Sequence, residues 1–447
     1  MRIRSWIPCA LFLLLAACGQ PQTTPADTAA PLLSGTHASL EARPGHRQRN
    51  EYVLFDFGNR YHDNGERPRS GLVVGPYGSL FGTTTRGGKL GCPGAGGSCG
   101  IVYVMSNTDS GYIEIPLYLF CQVRGCADGA LPYAGVTFDK NKALYGTTYE
   151  GGAKNSGVVF KMPRRKNGWY ANEHVLYSFC AQARCADGSN PRGTLTIDAS
   201  GAIYGTTLYG GSKNGGVVFK LTPASSGYTE SVLHAFTGPD GLYPEAGVIA
   251  DANGALYGTT ASGGASGCDT GCGVVYKLTP NGSQYTETVL HEFTGGSDGT
   301  DPYAGLVVDR HGNLFGVTVE GGGTGCAGNG CGIAFEMTPA GSTYTESVLH
   351  AFAGTDGSAP NSALLLGTNG ELFGTTSSGG LNNEGTLFSM LPGQSYAFRS
   401  LYSFCKYAKC TDGATPVGGI VRYYKTLYGT TWQGGHKDEG TVYELPH

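Results

Sequence analysis

From residue 51 onward, apolar and polar positions alternate in short runs that return in a fixed order. Between residues 246 and 293 the chain reads AGVIADANGALYGTTASGGASGCDTGCGVVYKLTPNGSQYTETVLHEF. Four of its runs (GVIAD, ALYGTT, GVVYKLT and YTETVLHEF) are rich in β-branched and aromatic residues, and Gly, Asn, Pro and Asp separate them. Such runs between turn residues predict strands, labelled a, b, c and d in order, joined as an antiparallel meander.

The unit recurs along the whole chain. Its Gly-Thr step returns at Gly82, Gly146, Gly205, Gly258, Gly316, Gly374 and Gly429, at intervals of 53 to 64 residues. A β-helix needs a shorter period, and one flat sheet of that size would leave edges open to aggregation. Radial stacking of small twisted sheets protects the edges, so the expected fold is all-β, a seven-bladed β-propeller with four-stranded antiparallel blades.

Counting strands predicts how the circle closes. A lone d-type run, residues 52–57, precedes any a strand, and the chain ends on a lone c-type run, residues 440–445. Pairing them completes the last blade without a covalent link. The other phase, d-a-b-c, gives seven full blades with no clasp; the long d-to-a link, read as an inter-blade crossing, favours the clasp.

Residues 1–17 carry Arg2 and Arg4 and then an apolar run from Trp6 to Ala17, short for a membrane span and placed as a signal peptide would be. The run ends Leu15-Ala16-Ala17-Cys18, which resembles a bacterial lipoprotein signal in which Cys18 is lipidated; an ordinary secretory signal is the alternative. With Gly19 next, the resemblance implies sorting to an outer membrane. Residues 18–50 comprise this cysteine and a Pro-, Thr- and Ala-rich tether with a reach of roughly 30 Å, and residues 51–447 form the propeller. A membrane, through Cys18, is thus one expected partner.

Composition agrees with export. Lys and Arg number 30 against 34 Asp and Glu, so the basic footprint of a nucleic-acid binder is missing. Beyond Cys9 and Cys18, the cysteines fall into close pairs: Cys92/Cys99, Cys121/Cys126, Cys180/Cys185, Cys268/Cys272, Cys326/Cys331 and Cys405/Cys410. Local pairing in even number predicts disulfides formed in an oxidising compartment. No C-x-x-C doublet is present, so neither a metal nor any other cofactor is expected. Three pairs lie in b-to-c loops and three in d-to-a loops. Alternation of strand direction puts both loop types on one face, and the stapled loops make it the candidate functional face.

Comparing copies separates scaffold from chemistry. Each d-to-a link holds a D/N-G-x-x-P element, beginning at Asn64, Asp128, Asp187, Asp240, Asp298, Asp356 and Asp412. Asn64 in one slot weighs against a carboxylate ring for calcium or acid-base work and favours an Asx-type turn. His234, His291 and His350 share their strand d slot with Phe55, Tyr118, Tyr177 and Tyr402, which predicts inter-blade packing. The glycine doublets after strand b, such as Gly151-Gly152, predict a backbone bend.

Variable positions flanked by this uniform frame are the binding candidates. The residue after the loop proline is Arg69, Tyr133, Arg192, Glu245, Tyr303, Asn361 or Val417, each followed by two small residues as a crowded axis demands. The slot before the glycine doublet holds Arg86, Glu150, Tyr209, Ser262, Glu320, Ser378 or Gln433, with Tyr149 and Trp432 beside it. A mouth ringed by Tyr, Trp, Arg and Glu suits a sugar or peptide; a solvated rim with no ligand is the alternative.

The units GxLYGTTxxGG, GVVYKLTP and VLHxFxGxxDGxxPxAGL resemble the GloVer repeat of choice-of-anchor bacterial surface proteins, over residues 51–447. The order P-x-x-G-hydrophobic-D-x-x-G-x-hydrophobic-Y is more distantly similar to NHL-type propellers. The first resemblance implies an exported, anchored repeat domain and supplies no catalytic residue. Two functions follow as expectations. The first is a lipid-anchored envelope module that binds a glycan, peptide or protein. The second is a propeller enzyme of lyase or lactonase type using Glu150, Glu245 or Glu320 near the axis.

Overall fold

The computed structural model describes residues 52–58, 64–88, 90–92, 97–108, 111–264, 267–341, 343–393 and 396–447, with backbone alone for 90–92 and 97. They lie within one compact unit, His46–His447. The expected signal sequence (1–17), Cys18 and the expected tether (to residue 50) fall outside the described residues, as does the side chain of Cys92.

Among the described residues, seven antiparallel blade sheets share the four-strand order a-b-c-d, and one of them, sheet 3, carries a fifth short strand. Sheet 1 holds Val73–Val74, Leu80–Thr84, Ile101–Thr108 and Gly111–Leu119. Sheet 2 holds Thr137–Phe138, Leu144–Thr148, Val158–Met162 and His174–Ser178. Sheet 3 holds Thr196–Ile197, Ile203–Tyr209, Val217–Ala224 and Gly227–Ala235, and Ser189–Pro191 also pairs along Ile203–Tyr209. Sheet 4 holds Ile249–Ala250, Leu256–Thr260, Val274–Asn281 and Gln284–Glu292. Sheets 5 and 6 repeat the plan over Val307–Ala351 and Leu365–Ser403. Sheet 7 joins Val421–Tyr423, Thr426–Thr431 and Thr441–Pro446 to the amino-terminal strand Tyr52–Asp56. Tyr52 stands opposite Glu444 and Asp56 opposite Thr441, so the clasp predicted from the leftover strands is present.

Each seam between sheets is filled in the same way. A Phe just beyond strand d packs edge-on against the central aromatic of strand c in the next sheet, at 5.2 Å for Phe120 and Phe160, 5.1 Å for Phe236 and Tyr276, and 5.3 Å for Phe293 and Phe335. Phe57 and Tyr103 repeat the contact at 5.3 Å between the last sheet and the first. Around them lie seven buried clusters, one per seam; the one at the clasp joins Phe57, Tyr428 and Val442 to Leu80, Ile101 and Met105. The core is therefore a circle of equivalent interfaces.

The Gly-Thr-Thr step now has a physical reason. Gly146 faces Phe160 across the b–c pair, and a Cβ there would lie 2.6 Å from the ring. In five sheets the first threonine reaches the inner segment of the next sheet: Thr83 Oγ1 donates to Ala134 O at 2.8 Å, Thr259 to Ala304 at 2.9 Å and Thr430 to Ser70 at 2.9 Å across the clasp, as Thr206 and Thr375 also do in their sheets. The second threonine closes its own turn in every sheet, as Thr148 does on Glu150 O at 2.8 Å.

Two expectations need correcting. Strand a is much shorter than the run GVIAD, with only Ile249–Ala250 in the ladder of sheet 4. Its upstream part runs along the axis and bonds to neighbouring sheets: the carbonyls of Ala134, Ala246 and Ala304 accept from threonines of the adjoining sheet instead of pairing within their own. The Tyr/His slot of strand d does more than pack. Tyr118, Tyr177 and Tyr402 each donate to the Asp of their own link, Asp128, Asp187 and Asp412, at 2.8 Å. His234 and His350 stand 2.9 Å from Asp240 and Asp356. Those carboxylates also accept backbone N–H groups, as Asp128 does from Gln122 and Val123, which is the expected Asx-type turn with an added side-chain anchor.

Candidate binding site at the channel mouth

The axis is lined by the two small residues that follow each variable position. A Cβ on Gly305 would meet Ala246 and Ala363 of the two adjoining sheets at 3.7 and 4.0 Å, and one on Gly135 would lie 2.9 Å from Gly71 O. A side chain has no space at Gly135 and only ordinary contacts at Gly305, so the positions just before these residues stand on inner segments that pack against their neighbours.

On the face that carries the disulfides, part of this ring converges. Tyr133 of sheet 2 lies between arginines from the sheets on either side, with the Arg69 and Arg192 guanidinium carbons 5.2 and 5.1 Å from its ring centre. Arg192 ion-pairs with Glu245 of sheet 4. Tyr149 meets Tyr133 edge-on at 5.1 Å, and Tyr209 meets Tyr243 at 5.6 Å. Tyr303 is 40 % exposed beside them.

Electrostatics ties the group together. Burial lowers the affinity of Arg69 for its proton, and the like charge of Arg192 lowers it further, against weaker opposition from Tyr133 and Glu245. Burial raises the Glu245 carboxyl despite the pull of Arg192 and Arg69. Tyr149 is raised by burial and then by Tyr209, and Tyr303 by burial and then by Asp301 and Glu245.

The remaining candidates stand apart. Arg86 is exposed, and among the described residues its side chain has no ion pair or ring contact. Glu150 is raised by burial alone. Trp432 lies under Arg67, whose guanidinium carbon is 5.3 Å from the indole centre, and Arg67 also pairs with Glu439 at 2.9 Å. Glu320 borders a shallow cavity of about 160 Å³ with Cys331, Ser358 and Ser378. Neighbouring Asp301 is pushed up to about 6, by burial first and Glu320 second.

The disulfides Cys121–Cys126, Cys180–Cys185, Cys268–Cys272, Cys326–Cys331 and Cys405–Cys410 are formed, and Cys99 is also disulfide-bonded. The sulfurs of Cys99, Cys121 and Cys126 lie within 4.8 Å of one another, so the b-to-c and d-to-a loops of sheet 1 adjoin, as expected. All three sulfurs are in disulfides and offer no thiolate to a metal.

A family model, the Gloeobacter/Verrucomicrobia repeat, matches the sequence over residues 172–345 and again over 265–447. The chain belongs to the Gloeobacter/Verrucomicrobia repeat family. No curated protein matches it. Among solved structures, a Lactobacillus plantarum protein is 15% identical with a TM-score of 0.48, covering 79% of this chain and 89% of its own. A candidate 6-phosphogluconolactonase of Bacteroides uniformis is 13% identical with a TM-score of 0.45, over 74% and 82%. A candidate oxidoreductase (glucose dehydrogenase) of Thermus thermophilus is 13% identical with a TM-score of 0.44, over 74% and 94%. These likenesses carry no argument about what the Gloeobacter/Verrucomicrobia repeat chain binds or does.

One set of rim residues escaped the sequence reading. The residue before each loop proline (Arg67, Leu131, Asn190, Tyr243, Asp301, Ala359 and Thr415) has a left-handed φ between 52° and 59°. Its N–H bonds back to the sheet just left and its C=O forward to the sheet just entered, as Leu131 does with Cys99 O at 2.9 Å and Tyr149 N at 3.0 Å. A residue before proline ordinarily favours extended backbone, so only the sevenfold recurrence of the slot could have drawn attention to it.

Proposed function

We propose that this protein is a lipid-anchored cell-envelope module that binds a glycan, peptide or protein partner on its disulfide-bearing face. The observation that carries the reading is the contiguous group Arg69, Tyr133, Arg192, Glu245 and Tyr149, drawn from four sheets onto one mouth. Elsewhere the repeats reuse one set of contacts; here they diverge into charged and aromatic side chains, the mixture that orients polar ligands. The sequence Leu15-Ala16-Ala17-Cys18 and the disulfides support an exported, membrane-tethered chain on the outer membrane.

A lyase or lactonase would need carboxylates sharing a reaction centre. Glu245 is engaged by Arg192 and Glu150 responds to burial alone, which favours the binding reading; Glu320 beside Asp301 is the carboxylate pair on which the enzyme reading would rest. Two measurements test the proposal. Metabolic labelling with a radioactive fatty acid should mark the protein and fail with Cys18→Ser. Binding on a glycan and peptide array should weaken with Tyr133→Ala; a ligand indifferent to that change, or no ligand at all, would refute the assigned site.

A further inference from the structure

The charge balance at the mouth narrows the ligand. Two guanidinium groups converge on Tyr133, and one carboxylate, Glu245, lies with them. Glu245 is taken by Arg192. Arg69 has no ion pair or hydrogen bond to any described residue, and its partly buried cation sits near a second cation. Partly desolvated charges are stable when paired, and guanidinium pairs best with a planar carboxylate through two parallel hydrogen bonds.

The surroundings specify what bears that carboxylate. Tyr149 and Tyr133 form one aromatic corner, Tyr209 and Tyr243 a second, and Tyr303 presents an exposed ring. Flat apolar faces edged by hydroxyls fit the C–H face of a pyranose, which keeps its own hydroxyls in water.

Resting on the binding reading above, we propose that the mouth binds an acidic saccharide of the uronic acid class, with its carboxylate on Arg69 and its ring on the tyrosines around Tyr133. Glu245 limits affinity by holding Arg192 away from the ligand.

Calorimetric titration of the folded, disulfide-bonded protein with tetragalacturonate, with its methyl ester and with poly-glutamate tests this. Tetragalacturonate should bind, and esterification or Arg69→Gln should each weaken binding roughly ten- to hundredfold, the range for losing a charge-assisted contact. Arg69→Lys should restore part of the loss. Glu245→Gln should tighten binding by freeing Arg192, a gain that a merely structural role for these residues would not produce. Equal affinity for acid and ester would overturn the carboxylate assignment and leave saccharide binding standing. Binding of poly-glutamate without tetragalacturonate would overturn the saccharide class in favour of an acidic peptide. Absence of binding to all three probes, while an array ligand still depends on Tyr133, would overturn the acidic ligand alone.

Discussion

Replacing Phe57 by alanine tests whether the clasp is a seam like the others. Phe57 is fully buried, its ring lies 5.3 Å from Tyr103, and its N–H donates to Gly440 O at 3.0 Å. Truncating a buried Phe removes its transfer free energy and leaves a cavity, together costing about 3–5 kcal/mol. Phe293, 1% exposed and 5.3 Å from Phe335, makes the matching contact at a seam whose two sheets are joined by the chain. Guanidinium unfolding followed by circular dichroism should therefore give Phe57→Ala and Phe293→Ala losses within about 1 kcal/mol of each other, with unchanged denaturant slope. If Phe57→Ala cost less than about 1 kcal/mol while Phe293→Ala cost the full amount, the ring would not close as described.

Other substitutions probe single contacts. Thr147 Oγ1 is buried with no partner, and sheet 5 has Val317 in that slot, so Thr147→Val should be neutral or stabilising by roughly 1 kcal/mol in the same unfolding assay. Thr259→Val breaks the bond to Ala304 and should cost roughly 1 kcal/mol. Gly146→Ala places a methyl 2.6 Å from the Phe160 ring and should cost at least about 1–3 kcal/mol, partly relieved by Phe160→Leu. Burial raises Glu114 and Glu173 to about 8, and Glu230, Glu287 and Glu346 to about 7. For an acid with a raised folded pKa, the neutral form is favoured by folding. Its contribution is complete below the unfolded value near 4.3 and is lost as pH climbs through 7 to 8. Thermal melts should show a lower midpoint at about pH 8.5 than at about pH 5.5, and Glu114→Gln should reduce the difference.

The architecture could be read from the chain because its causes are local and repeated. Alternating apolar runs fix the strands, and the unmatched runs at 52–57 and 440–445 announce the clasp through counting alone. The inner ring was legible for a similar reason: small residues after Arg69, Tyr133, Arg192 and Glu245 mark positions where only the preceding side chain can vary. Which members of that ring meet was not legible. The grouping of Arg69, Tyr133 and Arg192 depends on the lateral spacing of sheets, and nothing within one repeat encodes it. The tie between Tyr118 and Asp128 was hidden for a different reason. Each residue alone has a sufficient local explanation, as a packing ring or as a turn former, and only their geometry joins them.

The residues before the loop prolines hold neighbouring sheets through main-chain atoms, so the seam does not depend on which side chain stands there. Arginine, leucine, asparagine, tyrosine, aspartate, alanine and threonine all occupy the position in one molecule. Sequence drift at these places can thus alter the upper surface residue by residue while the frame beneath keeps its shape. Related chains could change what they hold by substitutions there alone, without lengthening a loop or loosening a joint.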